Sequence, residues 1–575
     1  MADITRRSFL TFAGLGAVGA VGFGTRPWGL QYAGAVPLPT SSAAAGTTLE
    51  AVASPDGSSG YRRLVAGPGW ATVIREELAE AKSGREDRRT ALASFVQITD
   101  VHLIDTQSPL RFEFLDSYNG AAFRPQETLT VQGLTALVKR INAIASGPHT
   151  QRKFDAVVTT GDNTDNKEFA ELEWFLTAMN GGTITPNTGD PDTYEGVQDS
   201  GVDLYWNPGK SIQDKYKKAG YPDIPGLLDA AIAPFYSPGL NTPWYCVFGN
   251  HDDTVVGSIP TGVPLLERMY TGSWKFMEPG SAEQLDVLGS AAASGDAELV
   301  FATLSSFTKG AQRVTSDPAR KPFTPREFIA EHLKPKHKGP GPVGHGFAPD
   351  ADETGIGYYT FEMAPGVVGI GMDSTNHAGF AEGSLGEEQF KWLEDTLIAG
   401  SSRYFDTDGS PVSRQGTDTW FVLFSHHTSS MNNLRKDPTN PSERRVPGAE
   451  VVDLLHRFPN VLAWVNGHSH RNKIRPKEGD TPGQSFWEIN TASHIDFPQL
   501  GRIIEVADNE DGTISLFTTL FEADSPYSVD YTDLSPTGLA SLYREFAFND
   551  PNGNPSKGGK SRDQNAELLL VSDRG

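Results

Sequence analysis

Side chains that bind divalent metals recur in five short motifs of this sequence, and each motif follows an apolar, strand-like run. The motifs are Asp100-Val101-His102, Gly161-Asp162-Asn163-Thr164-Asp165, Gly249-Asn250-His251-Asp252, Ser425-His426-His427 and Gly467-His468-Ser469-His470. Their carboxylate oxygens, imidazole nitrogens and one amide oxygen are donors that borderline divalent metals accept. One such motif alone is weak, because short motifs arise by chance. Five of them in one chain, each after an apolar run, favour a shared metal site.

A site built from motifs so far apart requires a fold that brings the ends of several strands together. The apolar patterns predict strands at 94–99, 156–160, 367–372, 420–424, 461–465 and 502–506, and helices at 128–144, 169–179, 387–397 and 536–546. Strands that alternate with helices indicate an α/β fold. In such a fold the carboxyl ends of neighbouring strands converge on one edge, so that distant loops can share a site.

The motif order D-x-H, G-D-x-x-D, G-N-H-D, H and G-H-x-H resembles that of the calcineurin-like metallophosphoesterase superfamily. The resemblance extends from about residue 95 to residue 506 and includes Met372-Asp373-Ser374, which is similar to the family's D-S turn. Residues 386–393 resemble its G-x-x-Q-x-x-W-L helix. With the N-terminal pattern described below, the chain looks like a secreted, actinobacterial-type subgroup with long insertions. The resemblance implies a four-layer α/β/β/α sandwich.

The resemblance also implies a dinuclear centre of two divalent ions, which could be Mn, Fe or Zn. It assigns the ligands as follows: Asp100, His102 and His470 to the first ion, Asp162 as a bridge, and Asn250, His426 and His468 to the second. In the family, metal-bound hydroxide attacks the phosphorus in line, with no covalent enzyme intermediate.

His251 and Asp252 are implied to be the catalytic pair. His251 would face the phosphate and stabilise the transition state or protonate the leaving oxygen. Asp252 would orient the His251 ring and favour its charged form. Two neighbouring positions stay open. His427 is an alternative to His426, although the family often uses the first of two histidines here, and Asp165 is more typical of a residue behind the ligands than of a ligand.

The residue at position 165 also bears on the kind of esterase. Purple acid phosphatases carry a tyrosine ligand there, whereas Gly-Asp-x-x-Asp is more similar to the branch of cyclic-nucleotide and glycerophosphodiester phosphodiesterases. The resemblance therefore predicts a phosphoesterase that is closer to phosphodiesterases. A catalytically inactive cell-surface binding protein on the same fold is one alternative. A broad phosphomonoesterase or nucleotidase is another.

The chain is strongly acidic, with 49 Lys and Arg against 72 Asp and Glu and a formal net charge of −23. This charge argues against broad affinity for nucleic acid or an anionic membrane. It would also repel a phosphate-bearing substrate unless cations lie where that substrate binds. Arg435, Arg444 and Arg445 follow the His426 motif and are candidates for contacting a phosphate or a second anionic group. We expect a small-molecule phosphate ester as the substrate and no nucleic-acid partner.

The N-terminus has the pattern of an export signal. Thr5-Arg6-Arg7-Ser8-Phe9-Leu10 precedes a run of small and apolar residues to Phe23, which resembles a twin-arginine signal. The run is too short for a comfortable membrane span, and Ala33-Gly34-Ala35 offers a cleavage site. We expect export by the twin-arginine machinery to the cell envelope or the medium, with no stable membrane span in the mature chain. An uncleaved anchor helix is the alternative.

Composition divides the chain into four predicted parts: a signal peptide at 1–35, an N-terminal linker and lead-in segment at 36–90, a catalytic domain at 91–525, and a C-terminal helix with a loose tail at 526–575. Irregular stretches at about 181–240 and 254–355 are predicted to be insertions, because the core pattern resumes after each. The only cysteine, Cys246, excludes a disulfide within the chain. It lies in an apolar run and is interpreted as a strand residue.

Overall fold

The computed structural model describes residues 41–116, 120–259, 268–278, 280–294, 299, 302–303, 306, 310–416 and 418–572. The predicted signal peptide lies outside these residues. Within the described residues, every helix is too short or too polar to span a bilayer.

Strands occur throughout the described chain and are numbered here in chain order. They are β1 Ala51–Pro55, β2 Leu64–Pro68, β3 Val73–Arg75, β4 Thr90–Ile98, β5 Ala156–Thr160, β6 Gly182–Ile184, β7 Phe235–Ser237, β8 Trp244–Val247, β9 Trp274–Phe276, β10 Ala311–Arg313, β11 Tyr359–Ala364, β12 Val367–Gly371, β13 Leu385–Gly386, β14 Arg403–Phe405, β15 Pro411–Ser413, β16 Trp420–Phe424, β17 Arg445–Val446, β18 Val461–Asn466, β19 Lys473–Lys477, β20 Phe486–Asn490, β21 Leu500–Asp508, β22 Thr513–Glu522 and β23 Ala566–Val571. The six predicted strands are confirmed as β4, β5, β12, β16, β18 and β21.

Helices connect these strands or lie within the long loops. They are α1 Ser41–Ala44, α2 Arg85–Arg88, α3 Thr130–Ile144, α4 Phe169–Asn180, α5 Lys215–Lys218, α6 Leu227–Ile232, α7 Asn250–Asp253, α8 Ala282–Ser294, α9 Pro325–Leu333, α10 Ala351–Thr354, α11 Glu387–Ala399, α12 Gly448–Leu455 and α13 Pro536–Asn549. The four predicted helices are confirmed as α3, α4, α11 and α13. Helix α13 begins as expected, because the Ser535 hydroxyl accepts a hydrogen bond from Gly538 N.

The larger sheet has seven strands in the order β3-β23-β22-β21-β4-β5-β8. Strands β4, β5 and β8 are parallel, whereas β21 and β22 run antiparallel to their neighbours. The parallel arrangement places the carboxyl ends of β4, β5 and β8 at the same edge. Cys246 is a buried residue of β8, and burial raises the pKa of its thiol, as expected for a strand residue.

The smaller sheet has six strands in the order β11-β12-β16-β18-β20-β19, of which β12, β16, β18 and β20 are parallel. Side chains alternate across β16. Val422 and Phe424 enter the core that the two sheets share, whereas Phe421 and Leu423 enter a separate core with α11 and α12. Each face of this sheet is therefore covered by a different layer.

The two sheets pack face to face and are enclosed by helices. The rings of Phe95 in β4 and Phe424 in β16 meet edge to face, with centroids 5.5 Å apart. Leu134 of α3 and Phe175 of α4 join the core of the larger sheet, and Leu393 of α11 packs against the smaller sheet. The predicted four-layer α/β/β/α sandwich is confirmed.

The C-terminal tail corrects one prediction, because it is not loose after Asn549. Strand β23 lies between β22 and β3 in the larger sheet, and five of its six residues are buried. Its sequence Leu568-Leu569-Leu570 is apolar enough to form an inner strand. The Gly- and Lys-rich stretch before it obscured that signal.

The N-terminal linker is a second correction, because part of it belongs to the fold. Strand β1 pairs with β2. Before it, the buried Thr48 hydroxyl donates a hydrogen bond to Leu520 O of β22 at 2.9 Å. Backbone pairing and burial therefore hold residues 47–55, which the abundance of small and polar residues had suggested to be loose.

The described parts of the two predicted insertions contain short elements that pack against the sandwich. Trp206 packs on Phe546 of α13, with ring centroids 4.5 Å apart, and Phe328 and Ile329 of α9 enter the main core. Both ranges thus contribute to the sandwich, and their origin as insertions stays a prediction.

Candidate metal centre

The five motifs meet at one edge of the sandwich, where parallel strands of both sheets end. Strands β4, β5, β8, β16 and β18 are followed within a few residues by Asp100, Asp162, Asn250, His426 and His468. Hydrogen bonds join the motifs across this edge. His468 N donates to Asp100 Oδ1 at 3.1 Å, and His251 N donates to Asp162 Oδ1 at 2.8 Å. The fold thus brings together residues that lie more than three hundred positions apart.

Five candidate ligands have left-handed backbones, a conformation that residues other than Gly rarely adopt. Their φ values are 50° at Asp100, 42° at His102, 52° at Asp162, 66° at His468 and 52° at His470. Each such residue costs about 1–2 kcal/mol. Strain of this kind persists where the surrounding structure enforces it, and it clusters at functional sites. Here it directs the side chains of consecutive loops toward one point.

Asp100, His102 and His470 form the first group of donor atoms, and these atoms all lie within 4.8 Å of one another. His470 Nε2 is 3.3 Å from Asp100 Oδ1 and 3.3 Å from His102 Nε2. Burial raises the pKa of the Asp100 carboxyl, but His470 lowers it further, to about 2. Asp100 is therefore ionised at neutral pH.

Asn250, His426 and His468 form the second group, next to Asp162. His426 Nε2 is 2.9 Å from Asn250 Oδ1, 3.2 Å from His468 Nδ1 and 3.2 Å from Asp162 Oδ2. The same oxygen, Asp162 Oδ2, lies 3.5 Å from His102 Nε2 in the first group. One carboxylate oxygen therefore faces both groups of donors.

The outer nitrogens of three of these histidines are already occupied by oxygen acceptors. His102 Nδ1 contacts Asp165 Oδ1 at 2.7 Å and His470 Nδ1 contacts Asp496 Oδ2 at 2.6 Å. His426 Nδ1 contacts Thr160 O at 2.8 Å. When these nitrogens carry the ring proton, each Nε2 directs a lone pair into the centre.

The nitrogen and oxygen atoms that face the centre are therefore arranged to bind a cation. Asn250 Nδ2 donates to Gly257 O at 3.0 Å, which turns the acceptor Oδ1 of Asn250 toward the acceptor His426 Nε2. Two acceptors at this distance repel each other unless positive charge lies between them. Burial lowers the pKa of His426, but the Asp162 and Asp100 carboxylates raise it to about 9, so the site favours positive charge there. This donor set fits metal ions.

His251 stands beside the donor groups, with its ring 4.5 Å from that of His102 and its side chain 22% exposed. Its Nδ1 lies 2.9 Å from Asp165 O and 3.4 Å from Asp165 Oδ1. Asp165, and not Asp252, is therefore the partner of the His251 ring, which corrects the predicted catalytic pair. Adjacent residues of a helical turn point in different directions, so Asp252 is turned away from the ring.

Asp252 instead ties two of the motif loops together. Its carboxylate accepts hydrogen bonds from Gly249 N at 3.0 Å, Thr164 N at 2.9 Å and Asn163 N at 3.1 Å. Its side chain is fully buried. Asp252 thus fixes the loop after β5 against the loop after β8, and acts on the site through the backbone.

Asp252→Asn is expected to destabilise the fold by about 3 kcal/mol, because the new amide group faces donors in a buried charged network. Urea unfolding of the metal-free protein measures this change. Asp229→Asn, at an exposed carboxylate, is the matched control and should leave the urea midpoint unchanged. An unchanged midpoint for Asp252→Asn together with a loss of turnover would restore a catalytic role for Asp252.

Two carboxylates orient the ligand histidines, and the sequence indicated only the first of them. Asp165 was placed behind the ligands, but its contact with the His251 ring was missed; it is held by Arg111, which also binds Glu127 Oε2 at 2.9 Å. Asp496, the partner of His470, belongs to no motif, and Arg124 Nε donates to it at 2.8 Å. Only its three-dimensional position reveals it.

His427 is less available as a ligand than His426. Its donor atom lies within 4.8 Å of those of His426 and His468, so geometry alone would allow it to join them. Its Nδ1, however, contacts Ser374 Oγ at 2.8 Å and its Nε2 contacts Ala381 O at 3.0 Å. Because both ring nitrogens are engaged, the arrangement favours His426.

Two of the three candidate substrate arginines are committed to other partners. Arg444 pairs with Glu450 at 2.8 Å and also with Glu387, and Arg445 is 7% exposed and donates to Ser384 O at 2.7 Å. Burial and the bond to Ser384 O correct the prediction for Arg445, whereas the Arg444 pairs lie at the surface and compete with any substrate for its guanidinium. These contacts hold the loop after the His426 motif in place.

Arg435 differs from these two arginines. It is exposed, its guanidinium carbon lies 3.6 Å from the Phe380 ring centroid, and among the described residues it pairs with no carboxylate. Phe380 N donates to Ser258 O at 2.7 Å. Ser258 follows Gly257, where an added Cβ would lie 2.3 Å from His251 Nε2. Arg435 is thereby linked to the loop that borders His251.

No known family model matches the chain, and no curated protein is similar to it in sequence. Among solved structures, the chain is similar to a dimetal phosphatase from Danio rerio, at 12% identity and a TM-score of 0.33 over 76% of this chain and 100% of that chain. It is also similar to purple acid phosphatase PPD1 from yellow lupin (Lupinus luteus) seeds, at 11% identity and a TM-score of 0.29 over 82% of this chain and 57% of that chain. A third similarity is to sulfate thiohydrolase SoxB of Thermus thermophilus in complex with glycerol, at 12% identity and a TM-score of 0.23 over 72% of this chain and 54% of that chain. The chain spans little more than half the length of the last two, and TM-scores this low carry no weight for function.

Proposed function

We propose that this chain is an exported metal-dependent phosphoesterase, closer in its chemistry to phosphodiesterases than to purple acid phosphatases. One observation carries the proposal: Asp162 Oδ2 faces two adjoining groups of inward-directed donor atoms, 3.5 Å from His102 Nε2 and 3.2 Å from His426 Nε2. Two divalent ions of the Mn, Fe or Zn class, held by these groups, would activate water and neutralise the phosphate.

The residues around the donor groups position the reacting parts. Asp165 and Asp496 orient the rings of His102 and His470, so that each presents Nε2 to the centre. Asp165 also holds His251 by its Nδ1, which leaves His251 Nε2 to carry a proton to the leaving oxygen. Burial lowers the pKa of His251 despite the Asp162 and Asp165 carboxylates. Nε2 therefore carries this proton only in the charged fraction of the rings, and that fraction falls as the pH rises through the lowered pKa.

Position 165 supports the distinction from purple acid phosphatases. The family resemblance would place a ligand tyrosine here in that branch. Asp165 instead contacts His102 Nδ1 and pairs with Arg111, and so lies behind the donor groups. A diester carries one negative charge fewer than a monoester, which also suits a protein with a net charge of −23.

The proposal is tested by assaying the purified mature chain, loaded with Mn²⁺, Zn²⁺ or iron, on a chromogenic phosphodiester and the matching monoester. Hydrolysis of the diester alone supports a phosphodiesterase. Hydrolysis of the monoester at a similar or higher rate favours the alternative of a broad phosphomonoesterase or nucleotidase. Two bound metals without hydrolysis of either ester would favour the alternative of an inactive cell-surface binding protein.

Arg435→Ala is expected to raise KM for an anionic ester about 5- to 10-fold with little change in kcat, because the exposed guanidinium would contribute binding that is equal in the ground state and the transition state. Steady-state kinetics at low ionic strength measure this split. Arg444→Ala removes a guanidinium that is paired with Glu387 and Glu450, and it is the matched control with unchanged KM. Equal KM values for both variants would remove Arg435 from the site.

Export by the twin-arginine machinery is part of the proposal and rests on the sequence around Arg6 and Arg7. Replacing both arginines with lysine should retain the protein in the cytoplasm, because that machinery recognises the arginine pair. Fractionation of cells and medium measures the distribution. Continued export of the double variant would show that another route carries the chain.

A further inference from the structure

A separate set of metal-binding side chains joins α4 to the segment that follows α9. Glu173 lies on α4, Glu331 lies on α9, and His337 ends the 3₁₀ turn Pro335–His337. Each offers one donor atom, and the three atoms lie within 4.8 Å of one another. None of the three belongs to the five motifs, so this cluster plays no part in the hydrolysis proposed above.

His337 shows that the cluster is more than a group of surface acids. The residue is 3% exposed, and within the part of the chain that the structure describes its Nε2 makes no hydrogen bond. The same nitrogen faces Glu173 Oε2 at 3.2 Å. A buried ring nitrogen without a hydrogen bond is unfavourable unless another partner binds it. Because His337 Nε2 faces the carboxylates, this partner would lie between the ring and the carboxylate oxygens.

Positive charge already gathers at these carboxylates. Lys336 Nζ lies 2.7 Å from Glu173 Oε2, and Lys334 Nζ lies 2.5 Å from Glu331 Oε1. Both lysine side chains are about half exposed, at 54% and 49%, and surface pairs of this kind are weak. The lysines can therefore yield to a cation that binds both carboxylates at once.

The space beside the cluster also suits a cation. A cavity of about 340 Å³ adjoins the cluster and is lined by Glu173, Glu331, Asn187 and Thr188 among others. The cavity leaves room for water to complete a coordination shell.

We propose that Glu173, Glu331 and His337 bind a further divalent cation of the zinc class. One imidazole and two carboxylates, with water in the fourth position, form a suitable tetrahedral donor set. The ion would fasten residues 325–337, in the second predicted insertion, to α4 of the sandwich.

The test compares wild-type protein with Glu331→Gln, His337→Gln and Lys336→Gln. Each chain is dialysed to equilibrium against micromolar Zn²⁺, and the bound zinc per chain is measured by elemental analysis. We expect one zinc ion fewer in Glu331→Gln and in His337→Gln than in the wild type, with circular dichroism and phosphoester hydrolysis unchanged. Zinc should also raise Tm by a few degrees less in these two variants than in the wild type.

Lys336→Gln is the matched control, because it removes a charge from the cluster and leaves all three donors. A metal site predicts that this variant keeps the full zinc count. Equal zinc counts in all four proteins would overturn the proposal and show an ion-pair network only. The difference in zinc count is read without any assay of activity, so its outcome is independent of whether the chain hydrolyses phosphate esters.

Discussion

Asp162→Ala should empty both donor groups of metal and lower phosphoester hydrolysis by at least about 10³-fold, since the two-ion clamp contributes several kcal/mol to transition-state stabilisation. The reason is geometric. Asp162 Oδ2 lies 3.5 Å from His102 Nε2 and 3.2 Å from His426 Nε2, so removing it takes a donor from each group. Elemental analysis and steady-state kinetics on the same preparation measure both effects.

Asp162→Asn sharpens this test because it keeps the shape of the side chain and removes its charge. The hydrogen bonds of the backbone N–H and C=O groups at position 162 would remain in this variant. Loss of metal would therefore identify the charge of the carboxylate as the cause. Asp530→Asn, at an exposed carboxylate, serves as the control with normal metal content and rate. Retention of a full metal complement by Asp162→Ala would exclude the shared-carboxylate arrangement.

His251→Ala should keep the metals and lower kcat by about 10²- to 10⁴-fold, the range that general acid catalysis contributes. The loss should be greatest for esters whose leaving alcohol has a high pKa, because such a group needs a proton as it departs. An ester with a readily leaving phenol should lose much less. Paired assays on these two substrates separate proton donation from a general disturbance of the site.

The opposite outcome for His251 is a real alternative, because its donor atom lies within 4.8 Å of those of His102 and Asp162. If His251→Ala emptied the centre, the ring would be a ligand and not an acid. His149→Ala provides the control, since that ring stacks on Phe517 at 4.4 Å, away from the motifs. It should change neither metal content nor the dependence on the leaving group.

The predicted partner of His251 was wrong because neighbours in the sequence are not always neighbours in space. Adjacency in the chain suggested that Asp252 orients His251, but a helical turn directs consecutive side chains apart. The ring is met instead by Asp165, eighty-six residues earlier, and the Asp252 carboxylate meets backbone donors of another loop. Such pairings depend on which loops become neighbours, and no local pattern encodes that.

The arginines show the same limit on the surface. Arg435, Arg444 and Arg445 lie within eleven residues and have similar chemistry, yet they have three different environments. Arg445 is buried against Ser384, Arg444 is paired with two glutamates, and Arg435 lies over Phe380. Their availability to a substrate is decided by partners from distant elements.

From the sequence, the local apolar patterns predicted the strands and helices of an α/β fold, and the resemblance to a known family implied the four-layer sandwich and the residues of the candidate centre. Apolar runs of strand length define β4, β5, β16 and β18, and the polar residues directly after them must lie at the strand ends. Tertiary structure alone decided the partners of those residues, the place of β23 in the larger sheet and the meeting of Glu173 with His337. These features arise from contacts between segments far apart in the chain, where packing and burial select among many residues of the same type.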